Sequence, residues 1–200
     1  MSPAPVLLLA SRSPRRASLL TEAGIAFEPG PSPNVDETPP TDSSGTLLEP
    51  EQIVRILATR KAHAAQALEP EALLLTADTL VFLDGQPLGK PVDAADAVRM
   101  LEALSGRWHE VWTGVALLGP DACGATQLLE DAVRTRVRFK RLAPQEIEAY
   151  VATGEPLDKA GGYGIQAGAA DFVAELEGPL DNVIGLPVET LRGLLGRLRS

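Results

Sequence analysis

The sequence predicts an α/β protein, because short apolar runs typical of buried strands alternate with segments of helical periodicity. The chain has 200 residues, of which 44% are hydrophobic and 22% are charged. That size allows one substantial core, or one core extended by a second lobe. No internal repeat or low-complexity tract interrupts the pattern. We therefore expect one domain over residues 1–200.

The first predicted unit is a strand, a loop and a helix. Residues 6–10 are apolar throughout, which is typical of a strand buried on both faces. Ser13 is expected to cap a helix that has Pro14 at its first position and ends near Gly24. Residues 30–45 are rich in Pro, Ser, Thr and Asp and predict an irregular surface segment. Loops of that length are often functional.

A second helix is predicted to begin at Pro50 and to carry a lysine on its buried side. Four of its residues mark the buried stripe, namely Ile53, Ile56, Leu57 and Ala64. Lys61 lies four residues beyond Leu57 and therefore projects from the same face. Residues 73–83 then predict a strand that is interrupted by one acid, Asp78.

The remaining elements follow from turn signals and periodicity. Asp84-Gly85 predicts a turn. After it we expect a helix capped by Asp93 and ended by Gly106, strands at 108–118 and 127–139, and helices at 144–151 and 188–198. The pattern does not determine the topology of the sheet.

Net charge limits the partners that the chain can bind, and cysteine content limits its disulfides and metal sites. The formal net charge of −9 and the pI near 4.8 argue against nucleic acid or an anionic membrane as a partner. Cys123 is the only cysteine, so an intramolecular disulfide and a multi-thiolate zinc site are excluded. No apolar run reaches the roughly 20 residues of a membrane span. We expect a cytoplasmic protein.

The basic loop at residues 11–16 is the strongest single feature. It ends in Arg15 and Arg16, which fall in the first turn of the predicted helix. Cations there oppose the helix dipole, whereas the free N–H groups of a helix N-terminus suit an anion. The loop therefore predicts a bound phosphate, and the alternative is a solvated turn with two surface arginines.

Asp78 is the strongest acidic candidate. Burying a lone carboxylate costs several kcal/mol unless it is paired or bound to a metal. Mg²⁺ takes one or two carboxylates and completes its coordination with water and substrate phosphate. The alternative is a carboxylate satisfied by Thr79 or by backbone donors.

Other candidates are weak when taken singly. Asp36-Glu37 lies in the long loop, where acid pairs are usually solubilising. Lys61 and Lys90, taken singly, each suit the role of an ordinary surface or snorkelling lysine. The glycines of residues 154–166 permit close approach to a ligand, but they also suit a flexible loop. For His63 and His109 we expect structural roles.

Seven short segments follow one another along the chain: residues 9–16, Asp36-Glu37-Thr38, Arg60-Lys61-Ala62, Ala77-Asp78-Thr79, Gly89-Lys90-Pro91, residues 154–166 and residues 182–187. In this order they resemble the signature of the Maf family of nucleoside triphosphate pyrophosphatases. The resemblance covers nearly the whole chain. It implies an elongated mixed sheet with flanking helices and two lobes around a central cleft, related to the fold of inosine triphosphate pyrophosphatases.

The same resemblance implies hydrolysis of a nucleoside triphosphate to the monophosphate and pyrophosphate, with Mg²⁺ or Mn²⁺, and commonly a homodimer. By matching position, the implied catalytic residues are Asp78, Glu37 and Lys90, of which Asp78 and Glu37 would bind the metal. The implied substrate-binding residues are Ser11, Arg15, Arg16, Lys61, Thr79 and Gln166. Lys90 would also help to hold the phosphates.

Three positions resemble the branch of the family that acts on dTTP and UTP, not the branch that acts on 7-methyl-GTP. Pro14 runs directly into Arg15 without an inserted aromatic residue, Thr79 follows Asp78, and residues 163–166 are intact. Gln166 offers a donor and acceptors to a pyrimidine edge. Thr76 and Gly162 depart from the usual small residues at their positions, without affecting the implied chemistry.

Two other functions remain open from the sequence. One is a pyrophosphatase for purine or damaged nucleotides, such as inosine triphosphate, on the same fold. The other is a non-enzymatic nucleotide-binding regulator of septum formation. Glu37 and Asp78 argue against pure binding, because carboxylates near phosphate weaken affinity unless a metal bridges them.

Overall fold

A computed structural model describes residues 6–166 and 168–198 of the chain. The strands are β1 Leu7–Leu9, β2 Glu28–Pro29, β3 Leu73–Leu83, β4 Gln86–Leu88, β5 Trp108–Pro120, β6 Thr126–Phe139 and β7 Val173–Glu177. The helices are α1 Pro14–Glu22, α2 Pro50–Gln66, α3 Ala94–Leu104, α4 Pro144–Ala152, α5 Leu180–Ile184 and α6 Val188–Leu198. Short 3₁₀ turns occupy Glu155–Asp158, Ala160–Gly162 and Ala170–Phe172.

Within the described residues the strands form one seven-stranded mixed sheet, in the order β2-β1-β3-β5-β6-β7, with β4 paired to β3. β1 runs parallel to both β2 and β3, whereas β4 is antiparallel to β3 and β7 is antiparallel to β6. The predicted α/β class, with a mixed sheet and flanking helices, is confirmed. None of the helices described is long and apolar enough to span a bilayer.

The sequence did not predict three short strands, β2, β4 and β7, or the short helix α5. β2, β4 and α5 have two, three and five residues, and β7 is largely exposed. Pro29 and Pro87 lie inside β2 and β4, and proline weakens any sequence-based strand assignment. Asp84 and Gly85 form the predicted turn, with φ values of 51° and 75°. Positive φ at both positions is what a two-residue hairpin turn requires.

The chain divides into two compact units. The first contains the described residues of Met1–Asp78, Thr113–Val133 and Gly185–Ser200, and the second contains Thr79–Trp112 and Arg134–Ile184. The second unit has its own aromatic core, in which the ring of Phe139 contacts the rings of Tyr163 and Phe172 edge to face.

In the first unit, α2 packs tightly against β5. A Cβ at Gly114 would lie 2.2 Å from the carbonyl oxygen of Val54 on α2, so only glycine permits this approach. The predicted buried stripe was right at Ile53 and Leu57 but wrong at Ile56 and Ala64, which are half-buried. The fully buried positions also include Val54, Ala58, Ala62 and Ala65, because the close contact at Gly114 turns the Val54 side of the helix toward the sheet.

Candidate active site

Lys61 ties two carboxylates together in the first unit. Its Nζ donates to Oδ1 of Asp78 and lies 2.7 Å from Oε1 of Glu37. Asp78 is only 5% exposed. Its burial is compatible with a negative charge because the ammonium group of Lys61 compensates it directly. Lys61, on the buried side of α2, is therefore the partner of Asp78, the acid that interrupts the apolar run of β3.

The register between α2 and β3 depends on a second contact. Residues two apart on a strand share a face, so Thr76 lies on the same side of β3 as Asp78. The buried Thr76 hydroxyl donates to the carbonyl oxygen of Ala58 at 2.8 Å. Ala58 lies one helical turn before Lys61. The hydroxyl therefore links β3 to α2 beside the ion pair, at a position where a smaller residue was expected.

The acidic loop reaches this ion pair through Glu37, while Asp36 has a different role. Asp36 accepts a hydrogen bond from the backbone N–H of Thr38 at 2.9 Å, and hydrogen bonds from Thr38 lower the pKa of Asp36. Arg60 donates to the backbone carbonyls of Asp36 and Thr38 at 3.4 and 3.1 Å. The sequence indicated no role for Arg60, although it precedes Lys61 in the segment Arg60-Lys61-Ala62.

The basic loop is held in place by Arg16. Its guanidinium donates to the Ser11 hydroxyl at 3.0 Å and to the Gly185 carbonyl at 2.8 Å. Burial lowers the pKa of Arg16, and the neighbouring charge of Arg15 lowers it further, whereas Asp78 raises it. Arg16 therefore interacts electrostatically with Arg15 and with the carboxylates of Asp78 and Glu37. Two half-buried arginines in one helical turn favour an anion between or beside them.

Ser13 precedes α1 as predicted, but its side chain makes no capping hydrogen bond. Instead, the Ser11 hydroxyl accepts from the Ser13 backbone N–H at 3.2 Å and from Arg16. The side chain that fixes the start of the helix is thus Ser11. Exposed Arg12 turns to the long loop, where it donates to the Asn34 side-chain oxygen at 3.0 Å.

Three other predicted site residues belong to the second unit: Thr79, Lys90 and Gln166. Thr79 follows Asp78 on β3 and is half-buried, whereas Lys90 and Gln166 are exposed. The carbonyl oxygen of Gly89, which precedes Lys90, accepts a hydrogen bond from the N–H of Gly161 at 3.0 Å. The lysine segment is thereby attached to the glycine-rich segment.

The segment around Gln166 is held on both sides by two buried or half-buried side chains. The Tyr150 hydroxyl donates to Glu155 and accepts from the Gly164 N–H, each at 3.0 Å. Glu155 also accepts from the N–H of Gly168 at 3.4 Å. Burial raises the pKa of Tyr150, so the hydroxyl remains protonated and able to donate. Sequence reasoning missed both Tyr150 and Glu155.

The buried histidine of the second unit is structural, as expected. His109 Nε2 lies 2.8 Å from the Tyr163 hydroxyl, and its ring contacts Phe139 edge to face. Burial lowers the pKa of His109 to about 4, so the ring is neutral at physiological pH. His63 is exposed on α2.

The carboxylate pair fits a divalent cation that shares its coordination with a ligand. No group of three or more His, Cys, Asp or Glu side chains among the described residues is arranged to hold a metal. Glu37 and Asp78 nevertheless converge on one cation, Lys61. Two hard oxygen donors of this kind match Mg²⁺, which usually takes one or two carboxylates with water and substrate phosphate completing its shell.

Comparison with known proteins identifies relatives along the whole chain. The chain is 48% identical to the dTTP/UTP pyrophosphatase of Geobacter sp. (strain M21) over 196 residues, which cover 95% of this chain and 97% of that protein. It is 49% identical to the dTTP/UTP pyrophosphatase of Moorella thermoacetica over 193 residues, with coverage of 94% and 93%.

A solved structure supports the fold independently. The HAM1 protein from Coxiella burnetii aligns with a TM-score of 0.50 at 18% identity, covering 96% of this chain and 99% of that one. At that identity the likeness concerns the fold alone. The family model described as Maf-like protein matches residues 6–198, and with relatives near 50% identity this decides the family. The chain belongs to the Maf-like protein family.

Proposed function

We propose that this protein hydrolyses dTTP and UTP between the α- and β-phosphates, releasing the nucleoside monophosphate and pyrophosphate. The observation that carries the proposal is the Lys61 ammonium held between the buried Asp78 carboxylate and the exposed Glu37 carboxylate, both of which act electrostatically on Arg16 of the basic loop. The names of the relatives support the same reaction and the same two substrates. Such an activity would remove unwanted pyrimidine nucleotides from the cellular pool.

In this proposal the reacting water is oriented and deprotonated by Asp78. Lys61 holds the Asp78 carboxylate in a fixed position and compensates its buried charge. A divalent cation, Mg²⁺ or Mn²⁺, would be held by Glu37 and Asp78 and would stabilise negative charge on the triphosphate. Both acids therefore act at the reacting centre.

The phosphates would be bound by several cations and one hydroxyl. Arg15 and Arg16 supply positive charge, and Ser11 adds a hydroxyl that Arg16 orients. Lys61 and Lys90 add further positive charge. Developing charge on phosphoryl oxygens is the main feature that such an enzyme must stabilise.

In the second unit, Gln166 would select the base. Gln166 carries a donor and acceptors that match a pyrimidine edge, and Tyr150 and Glu155 hold the backbone on either side of it. Thr79 would contribute a further polar contact to the nucleotide. We also propose that the protein acts as one domain over residues 1–200, in the cytoplasm and as a homodimer. The net charge of −9 supports a partner set without nucleic acid or membrane.

The deciding experiment is a substrate panel with Mg²⁺ and with Mn²⁺ in which monophosphate and pyrophosphate are both measured. We expect the highest kcat/KM with dTTP and UTP, and a modified pyrimidine triphosphate should also be tested. Preferential turnover of inosine triphosphate or 7-methyl-GTP would replace the proposed specificity. Tight dTTP binding without any monophosphate product would instead favour the nucleotide-binding regulator.

A variant tests the catalytic assignment. Asp78→Asn removes the proposed base and should lower kcat by roughly 100-fold or more, the usual contribution of a general base. Glu51→Gln is the matched control, because Glu51 lies on α2 and pairs only with Arg55 in the ion pairs described. Circular dichroism of both variants checks folding. Near-normal turnover by folded Asp78→Asn would refute the role of Asp78.

A further inference from the structure

We propose that Arg60 is a positioning residue, which holds the acidic loop against α2 so that Glu37 reaches Lys61. The inference rests on the proposed function, because it gives Arg60 a role in the same site. Arg60 Nη1 donates to the carbonyl oxygens of Thr38 at 3.1 Å and Asp36 at 3.4 Å. These two carbonyls flank Glu37 in the chain.

Arg60 attaches the loop at its backbone and thereby adds to the contact that the Glu37 side chain makes with Lys61. The Glu37 side chain is 53% exposed, and an exposed ion pair holds a long side chain only weakly. The hydrogen bond from Thr38 N–H to Asp36 shapes a local turn but does not connect that turn to the helix. Arg60 makes this connection at the backbone, on both sides of the functional carboxylate.

The position of Arg60 also couples Lys61 to Glu37, the two partners of the exposed ion pair. Arg60 and Lys61 are consecutive residues of α2, so the helix that carries the ammonium also carries the anchor of the loop. A guanidinium presents several donors in a rigid plane, which lets one side chain bridge two acceptors. Arg60 directs these donors at backbone oxygens, which classes it as a positioning residue and not as a catalytic one.

The inference predicts that Arg60 acts only through Glu37. Arg60→Ala should lower kcat/KM for dTTP by roughly 10- to 100-fold, the scale of a functional group displaced by about 1 Å. The same substitution in a Glu37→Gln background should change kcat/KM less than about twofold, because coupled residues are not additive. Arg60→Lys should recover part of the activity, since a lysine can still donate to one carbonyl.

Amide hydrogen exchange supplies a readout that does not depend on turnover. The peptide containing residues 36–38 should exchange faster in Arg60→Ala than in wild type, whereas peptides from the core of α2 should not change. Arg55→Ala is the matched control. Arg55 is an arginine of the same helix, and the hydrogen bonds described for its side chain go to Glu51 and Glu130 and not to the acidic loop. It should leave both exchange at 36–38 and kcat/KM unchanged.

The outcomes separate the positioning role from the function itself. Equal loss of activity from Arg60→Ala in the wild-type and Glu37→Gln backgrounds would overturn the inference, as would unchanged exchange at residues 36–38. Absence of pyrophosphate release by the wild type would refute the proposed function. In that case faster exchange in Arg60→Ala would still support the attachment of the loop, and unchanged exchange would reject it.

Discussion

Gly114→Ala tests whether the packing of α2 sets the geometry of the site. The added Cβ would lie 2.2 Å from the Val54 carbonyl oxygen and 2.8 Å from the Arg55 nitrogen, both of them backbone atoms of α2. Ordinary contacts at a Cβ begin near 3.4 Å, so the helix must move by more than about 1 Å. Because the obstacle is a helix backbone, no side-chain rotation can relieve it.

Two effects follow from that displacement. Overpacking of a well-packed core costs typically about 1–3 kcal/mol, and we expect a value near the upper end. For a chain of this length each kcal/mol lowers Tm by roughly 2–4 °C, so Tm should fall by roughly 6–12 °C. The same movement shifts Lys61 relative to Asp78, and a displacement of about 1 Å can lower kcat about 100-fold.

Thermal unfolding and pyrophosphate release measure the two effects in the same samples. Gly193→Ala on α6 is the matched control, since no atom lies within 4 Å of the new Cβ and the residue is exposed. Alanine there should raise the free energy of unfolding by up to about 1 kcal/mol, from helix propensity alone. If Gly114→Ala retained the wild-type Tm and kcat, the close contact between α2 and β5 would be wrong.

Three further variants address the ion pair, the base-binding segment and the buried histidine. Lys61→Met should lower the free energy of unfolding, measured in urea, by about 3 kcal/mol, because it leaves the buried Asp78 carboxylate uncompensated. A change under about 0.5 kcal/mol would contradict the pairing of Lys61 with Asp78. Tyr150→Phe removes one hydroxyl near Gln166. It should lower the ratio of kcat/KM for dTTP to that for inosine triphosphate up to about tenfold, the value of one hydrogen bond. An unchanged ratio would exclude a role of Tyr150 in base selection. Burial lowers the pKa of His109 to about 4 in the folded state, so the folded protein binds this proton more weakly than the unfolded chain does. The contribution of neutral His109 to the free energy of unfolding is therefore complete above about pH 6.5 and is lost as the pH falls toward 4. His109→Gln should therefore flatten the pH dependence of stability in that window, and identical pH profiles would show that His109 does not cause it.

The longest elements were predictable because each leaves a strong local pattern. The strand at 73–83 matches β3 at both ends, and the helix that begins at Pro50 is α2. β2 and β4 could not be found in the same way. They are stabilised by pairing with distant strands, and their few residues, which include prolines, carry no strand signal of their own.

Local patterns in the sequence also predicted part of the candidate site. Asp78 and Lys61 stood out because each is a charged residue in an apolar setting, which demands a partner. The sequence did not show that they are each other's partner, because that pairing depends on the register between α2 and β3. Tyr150 was missed for the opposite reason, since a tyrosine in a short amphipathic helix suits an ordinary core position.

The contacts of α2 divide into those that place the helix and those that place the loop, and this division has a measurable consequence. Gly114 and Thr76 fix the helix against the sheet, whereas Arg60 fixes only the backbone around Glu37. Loss of a helix contact should therefore lower stability and activity together. Loss of the Arg60 contact removes hydrogen bonds from exposed groups, which contribute little to stability, and should lower activity with a small change in Tm. If Arg60→Ala instead lowered Tm as much as Gly114→Ala, its loss of activity would reflect unfolding. The proposal that α2 aligns Glu37 with Asp78 would then be refuted.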